Sequence, residues 1–223
     1  MEWFDFKKKY VAETELRINK NFGRILSFID FGNVTYWFSE DKQGGDGILI
    51  KEDERVSVEI ERLKNFCSTF SEDIRFYYGH DQSNEGSIRF IMACRHIFGK
   101  SRVFTKRIQK VRHYPTSEEM ISNTRDIFTD KGGKYILLPK CNFDVEITVD
   151  TIRLMKDYDT IALFSGDADF VSLLRFLKTN KKKVILFKHG NITGGLRKVS
   201  DKIISAQNIK GHITKVKKQK PNV

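Results

Sequence analysis

The run Ile25-Leu26-Ser27-Phe28-Ile29-Asp30 constrains this chain more than any other segment. It carries no charge until it stops at an aspartate, with Phe31-Gly32-Asn33 directly behind. A short run of this kind, closed by turn residues, reads as a strand buried on both faces, the habit of parallel sheets. A second run, Thr160-Ile161-Ala162-Leu163-Phe164-Ser165, stops at Gly166-Asp167-Ala168-Asp169-Phe170. Both strands deliver carboxylates to their carboxyl ends, the rim where open α/β sheets bind ligands.

The rest of the chain alternates in the same way. Strands are predicted at 74–79, 102–108, 184–187 and, as the last one, 202–204. Helices are predicted within 54–70, 87–98, 144–155, 169–178 and 194–199, with a helix also beginning at 34–38. Pro115-Thr116-Ser117-Glu118-Glu119 resembles a helix start, and Lys131-Gly132-Gly133 reads as a turn. The remainder of 112–140 has no clear period. Alternating strands and helices argue for a parallel sheet covered on both faces. Right-handed crossovers then put the ends of 25–30 and 160–165 on one rim.

With 223 residues, 39% of them hydrophobic, the chain suits one domain with short extensions. The divisions are an N-terminal extension (1–23), the α/β domain (24–209) and a basic tail (210–223) that is unstructured from Lys215 onward. Trp3, Phe4 and Phe6 in the extension either fold back or make a homodimer contact. Cys67, Cys94 and Cys141 show neither metal-ligand nor disulfide spacing. The N-terminus lacks the apolar core of a signal peptide, and no run is long enough to span a membrane. A soluble, cytoplasmic protein is expected.

Forty basic residues against 29 acidic ones give a net charge of +11. That excess favours a polyanionic partner, nucleic acid before an anionic membrane surface, although it also serves plain solubility. Carboxylates gathered at one rim of so basic a chain need compensation, and a divalent cation is the simplest. Asp30, Asp167 and Asp169 stand at strand ends, and Asp144 at a helix start. An all-oxygen set suits Mg²⁺ or Mn²⁺. Each aspartate has a structural alternative: Asp144 and Asp169 could cap the helices that follow them. Asn33 could support Asp30 or cap its own helix. Asp150 lies six residues after Asp144, about 9 Å along a helix and about 240° around it. It is therefore placed outside the shared ion site.

These residues, in this order, resemble the NYN branch of the PIN-like nucleases, in particular the LabA-like bacterial proteins. The matching pieces are Phe28-Ile29-Asp30-Phe31-Gly32-Asn33, Phe143-Asp144-Val145-Glu146-Ile147-Thr148-Val149-Asp150 and Ser165-Gly166-Asp167-Ala168-Asp169-Phe170, followed by weaker pieces at 183–186 and 196–201. One departure is Lys140-Cys141-Asn142-Phe143, where the family often has Lys-Gly before the helix aspartate. The resemblance implies a three-layer α/β/α Rossmann-like (PIN-like) fold with a mostly parallel central sheet. It also implies a Mg²⁺- or Mn²⁺-dependent site that cleaves RNA. Asp30, Asp144, Asp167 and Asp169 then take the metal and catalytic roles, and Asn33 a supporting polar role.

The leading expectation is a metal-dependent ribonuclease. The alternative is a catalytically weak or inactive NYN-like module that binds RNA or a protein partner. A phosphotransferase using Asp30 as nucleophile fits less well, because Gly32 stands where Asp-x-Asp would need its second aspartate. No P-loop motif is present. Lys100, Arg102, Lys106, Arg107, Lys110 and Arg112 form one basic stretch that could follow a phosphate backbone. Tyr77, Tyr78, Tyr114 and Phe143 are either base-stacking platforms or core. The Lys181-Lys182-Lys183 triplet reads as a solvated turn.

Overall fold

The computed structural model describes residues 10–116 and 126–218. Its strands are β1 (Ile25–Asp30), β2 (Glu54–Val58), β3 (Asp73–His80), β4 (Val103–Arg107), β5 (Gln109–His113), β6 (Ile127–Asp130), β7 (Gly133–Lys140), β8 (Thr160–Phe164), β9 (Lys183–Lys188), β10 (Lys202–Ser205) and β11 (Thr214–Lys218). Its α-helices are α1 (Phe31–Val34), α2 (Ile60–Cys67), α3 (Glu85–Phe98), α4 (Asp144–Arg153), α5 (Val171–Thr179), α6 (Gly194–Val199) and α7 (Ala206–Ile213). None of the described helices is long and apolar enough to cross a membrane.

The central sheet has the order β10-β9-β8-β1-β3-β4, and every neighbouring pair is parallel. Read from β1, the chain winds out to β3 and β4, then returns to the other side of β1 as β8, β9 and β10. This is a doubly wound α/β sheet with its switch point between β1 and β8. Ile29 pairs with Phe164, so these two strands end together, as the sequence predicts.

Alternation along each strand divides the core. Ile25, Ile29, Phe76, Phe164 and Phe187 pack with Leu63 and Phe66 of α2, Phe98 of α3 and Ile209 of α7. Leu26, Phe28, Leu163 and Leu186 pack on the other face with Ile147 of α4, Leu174 of α5 and Leu196 of α6. Each fully buried side chain of this kind contributes about 1.5–3 kcal/mol. Period-2 alternation puts Asp30 on the face of Leu26 and Phe28, beneath the start of α4.

Several local expectations are corrected. Residues 54–70 are not one helix: Val56 and Val58 point inward from β2, and Glu59 then caps α2 by accepting the Arg62 N–H. Lys202–Ser205 is not the last strand, because α7 and β11 follow it. Lys215–Lys218, expected to be unstructured, lie in β11 antiparallel to β2. The unpatterned stretch after 108 contains a three-stranded antiparallel arm, ordered β5-β7-β6. Lys131 and Gly132 form its turn, between the paired residues Asp130 and Gly133. The helix start expected at 115–119 lies largely outside the described residues, as do Trp3, Phe4 and Phe6.

Candidate active site

β1 and β8 run side by side and open at their carboxyl ends into a cleft of about 420 Å³. Asp30, Asn33, Tyr36, Tyr78, Asp144 and Asp167 are among the residues that line it. Asp144, Asp167 and Asp169 each place one carboxylate oxygen within 4.8 Å of the others. A hard cation holds its oxygens at about 2.0–2.6 Å, so oxygens on opposite sides of one ion lie about 4–5 Å apart. The three aspartates already stand at that spacing.

Local structure fixes each of them. Asp144 is the first residue of α4, and Phe143 rather than Asp144 occupies the cap position. Asn142 flanks it: its Oδ1 accepts the Asp144 N–H at 2.7 Å, and its Nδ2 donates to the Asp144 carboxylate at 2.6 Å. Asp167 Oδ1 accepts the Asp169 N–H at 3.0 Å and so caps the 3₁₀ turn Ala168–Phe170. The capping role considered for Asp169 thus falls to Asp167, and Asp169 is left exposed beside it.

Asp30 sits deeper, at the base of the same cleft. The Ser165 hydroxyl donates to its Oδ2 at 3.3 Å and accepts the Asp167 N–H at 3.2 Å, linking the two strand ends. Asp30 holds the N-cap position of α1. Burial, with the charges of Asp144 and Asp167 added, pushes its carboxyl up to about 6, against the opposing pull of the Asn33 N–H and Ser165. Burial also raises the Asp144 carboxyl, and Asp167 and Asp169 add to the shift. Carboxylates whose ionisation is opposed first by burial and then by one another's charge favour a cation between them.

Asn33 lines the cleft, but its Oδ1 accepts the indole N–H of Trp37 at 2.9 Å. Asp150 faces away: it is 6% exposed and takes hydrogen bonds from Tyr77, Arg75 and Arg153. Tyr77 and Phe143 are core residues, not stacking platforms. Tyr78 packs edge-on against Phe31 and Phe90 at the cleft wall. The lysine triplet leads into β9, whose first residue is Lys183, and so lies at the amino-end rim, away from the carboxylates; the Lys182 ammonium donates to the Tyr158 carbonyl at 2.6 Å.

The sequence reading misses Tyr36, 71% exposed at the cleft mouth, and Asn142. Tyr36 follows α1 in a series of turns that no motif marks. Asn142 had a readable signal, an Asx residue two positions before a helix start.

The NYN domain family matches residues 24–209. "Low amplitude and bright protein LabA" from Synechococcus elongatus (strain ATCC 33912 / PCC 7942 / FACHB-805) is 29% identical over 111 residues, covering 49% of this chain. The match spans 58% of the length of that curated relative. A crystal structure of a protein of unknown function, VPA0982 from Vibrio parahaemolyticus RIMD 2210633, shares the fold. Its TM-score is 0.52 at 19% identity, covering 82% of this chain and 91% of that one.

Proposed function

This chain belongs to the NYN domain family, and we propose that it hydrolyses RNA phosphodiester bonds at the aspartate cleft with Mg²⁺ or Mn²⁺. The observation that carries this reading is the convergence of Asp144, Asp167 and Asp169 to within 4.8 Å at the sheet's switch point. The donor set fits: its ligands are all carboxylate oxygens, hard donors suited to hard cations. Asp30, Asp144, Asp167 and Asp169 would hold the ion. When bound, it would orient the phosphodiester, acidify an attacking water and neutralise charge on the leaving oxygen.

The chain's own residues prepare that site. Asn142 fixes the Asp144 carboxylate, and Ser165 couples Asp30 to the Asp167 backbone. Asn33 supports the turn after β1 through Trp37. Tyr36 stands exposed at the mouth, where a base flanking the cleaved bond can stack. Three unpaired cysteines suit the reducing cytoplasm.

The test incubates labelled RNA and DNA oligonucleotides with wild type and Asp167→Asn in Mn²⁺, Mg²⁺ or EDTA. RNA cleavage by wild type in either metal, lost in EDTA and in the variant, supports the reading. RNA binding without turnover in any metal would favour an inactive binding module instead. Cleavage that persists in the variant would remove this site from the chemistry.

A further inference from the structure

A second recess, about 220 Å³ in volume, adjoins the acidic cleft. It is lined by Lys106, Arg107, Gln109, Lys140, Cys141 and Asn142, and the last three of these also line the cleft. The arm creates this arrangement. The chain leaves the central sheet at Arg107, the end of β4, and runs outward as β5. It returns along β7 to Lys140, which pairs with Gln109, and four residues later it reaches Asp144. The root of the arm is thus one wall with two chemistries: carboxylates on one side of Lys140 and cations on the other.

Those cations are positioned differently. The Lys106 ammonium is fixed by both oxygens of Glu146, at 2.7 and 2.9 Å, and lies over the Phe143 ring. The Arg107 guanidinium is held by the amide oxygen of Gln82, a neutral partner, and no carboxylate among the described residues pairs with it. Lys140 is exposed on the ridge between the two openings. Among the described residues, no carboxylate lines the second recess.

We propose that this recess is a phosphate subsite for single-stranded RNA. Arg107 and Lys140 hold a backbone phosphate neighbouring the one presented to the aspartates. The inference rests on the nuclease reading only for the strand's path past the acidic cluster; the anion site itself stands on the recess. A side-chain-sized opening at the root of an arm admits one backbone, and its cations would fix that strand's register without reading its sequence.

The test is binding of a fluorescent single-stranded RNA oligonucleotide in EDTA, followed by anisotropy over a range of salt. Wild type is compared with the double variant Arg107→Gln/Lys140→Gln, with Asp167→Asn and with Lys181→Gln at the opposite rim. Losing that one phosphate contact should weaken binding about tenfold and reduce the log–log salt slope by about 0.7. Lys181→Gln should keep the wild-type slope. Thermal melting checks that the double variant is folded; both of its sites are exposed. An unchanged slope in a folded double variant overturns the subsite, whether or not the protein cleaves RNA. Equal loss of affinity for a blunt RNA duplex overturns the single-strand assignment. If wild type never cleaves yet the slope falls as expected, the nuclease reading fails and the subsite stands.

Discussion

The Tyr77 phenol donates to the Asp150 carboxylate across 2.7 Å, beneath the sheet face that carries α4. Arg75 reaches the same oxygen at 3.1 Å and Arg153 the other at 2.6 Å. Asp150 therefore anchors α4 on the sheet, while Asp144, at the start of the same helix, faces the cleft. Asp150→Ala leaves the Arg75 guanidinium, 12% exposed, with Asp73 at 3.9 Å as its one remaining carboxylate among the described residues. Removing one partner of a buried pair costs about 3 kcal/mol here, the low end of the usual range. Urea denaturation should show that loss. Mn²⁺ affinity measured by calorimetry on the folded variant should stay within about twofold of wild type, well under one 1.4 kcal/mol step. A variant of wild-type stability that no longer binds Mn²⁺ would instead put Asp150 among the ligands.

Asp30 makes a prediction with a definite sign. Its carboxyl is raised from 3.8 to about 6 in the folded protein, chiefly by burial. Between those values the folded state holds more protons than the unfolded state, so stability falls as pH rises through that window. Below it both states are protonated and the penalty disappears. Above it the full penalty applies, at most about 3 kcal/mol for two units. Asp30→Asn can still accept the Ser165 hydrogen bond and carries no charge. In EDTA at pH 7.5 it should melt higher than wild type, and the gain should shrink toward zero near pH 4. A variant that melts lower at pH 7.5 would contradict the burial penalty described for Asp30.

How legible each part was follows from where its side chains point. β1, β8 and β9 are buried on both faces, so their apolar runs are continuous and their ends readable. That is enough to place Asp30 and Asp167 on one rim. The arm strands β5 and β6 are exposed almost throughout, which leaves no alternation to detect. β2 and β11 stabilise each other over a long sequence separation, so Val56 and Val58 blend into the helical period beginning at Ile60. Asp167 and Asp169 share an Asp-x-Asp pattern in which either could cap. Only the extended backbone at Asp167, with ψ 128°, decides between them.

Pairing of β2 with β11 also predicts the result of shortening the chain. The Thr214 carbonyl accepts the Arg62 guanidinium at 2.7 Å, Thr214 itself is 2% exposed, and Val216 pairs with Val56. Ending the chain at Ile213 exposes β2 along its whole length and leaves Arg62 without that acceptor. The loss should be about 2 kcal/mol, which for a domain of this size lowers Tm by roughly 4–8 °C. A truncated protein with an unchanged melting temperature would show that β11 adds nothing to the fold.

Gly79 tests whether the acidic cleft depends on the arm's root. It lies in β3 on the cleft wall, where a Cβ would stand 2.6 Å from both Cβ and Sγ of Cys141 and 3.1 Å from Ile108. Real side chains do not approach so closely, so Gly79→Ala must push Cys141 outward. Overpacking of this kind costs about 1–3 kcal/mol. Cys141 is separated from Asp144 only by Asn142, whose amide holds that carboxylate, and Phe143. The displacement should therefore reach the proposed metal site, and a shift of about 1 Å there can cost on the order of a hundredfold in turnover. Gly79→Ala is expected to lose the proposed RNA cleavage and to weaken the proposed Mn²⁺ binding. Cys141→Gly, which removes the obstructing atoms, should restore a large part of both when combined with it. If the double variant performs no better than Gly79→Ala alone, the loss does not travel through Cys141.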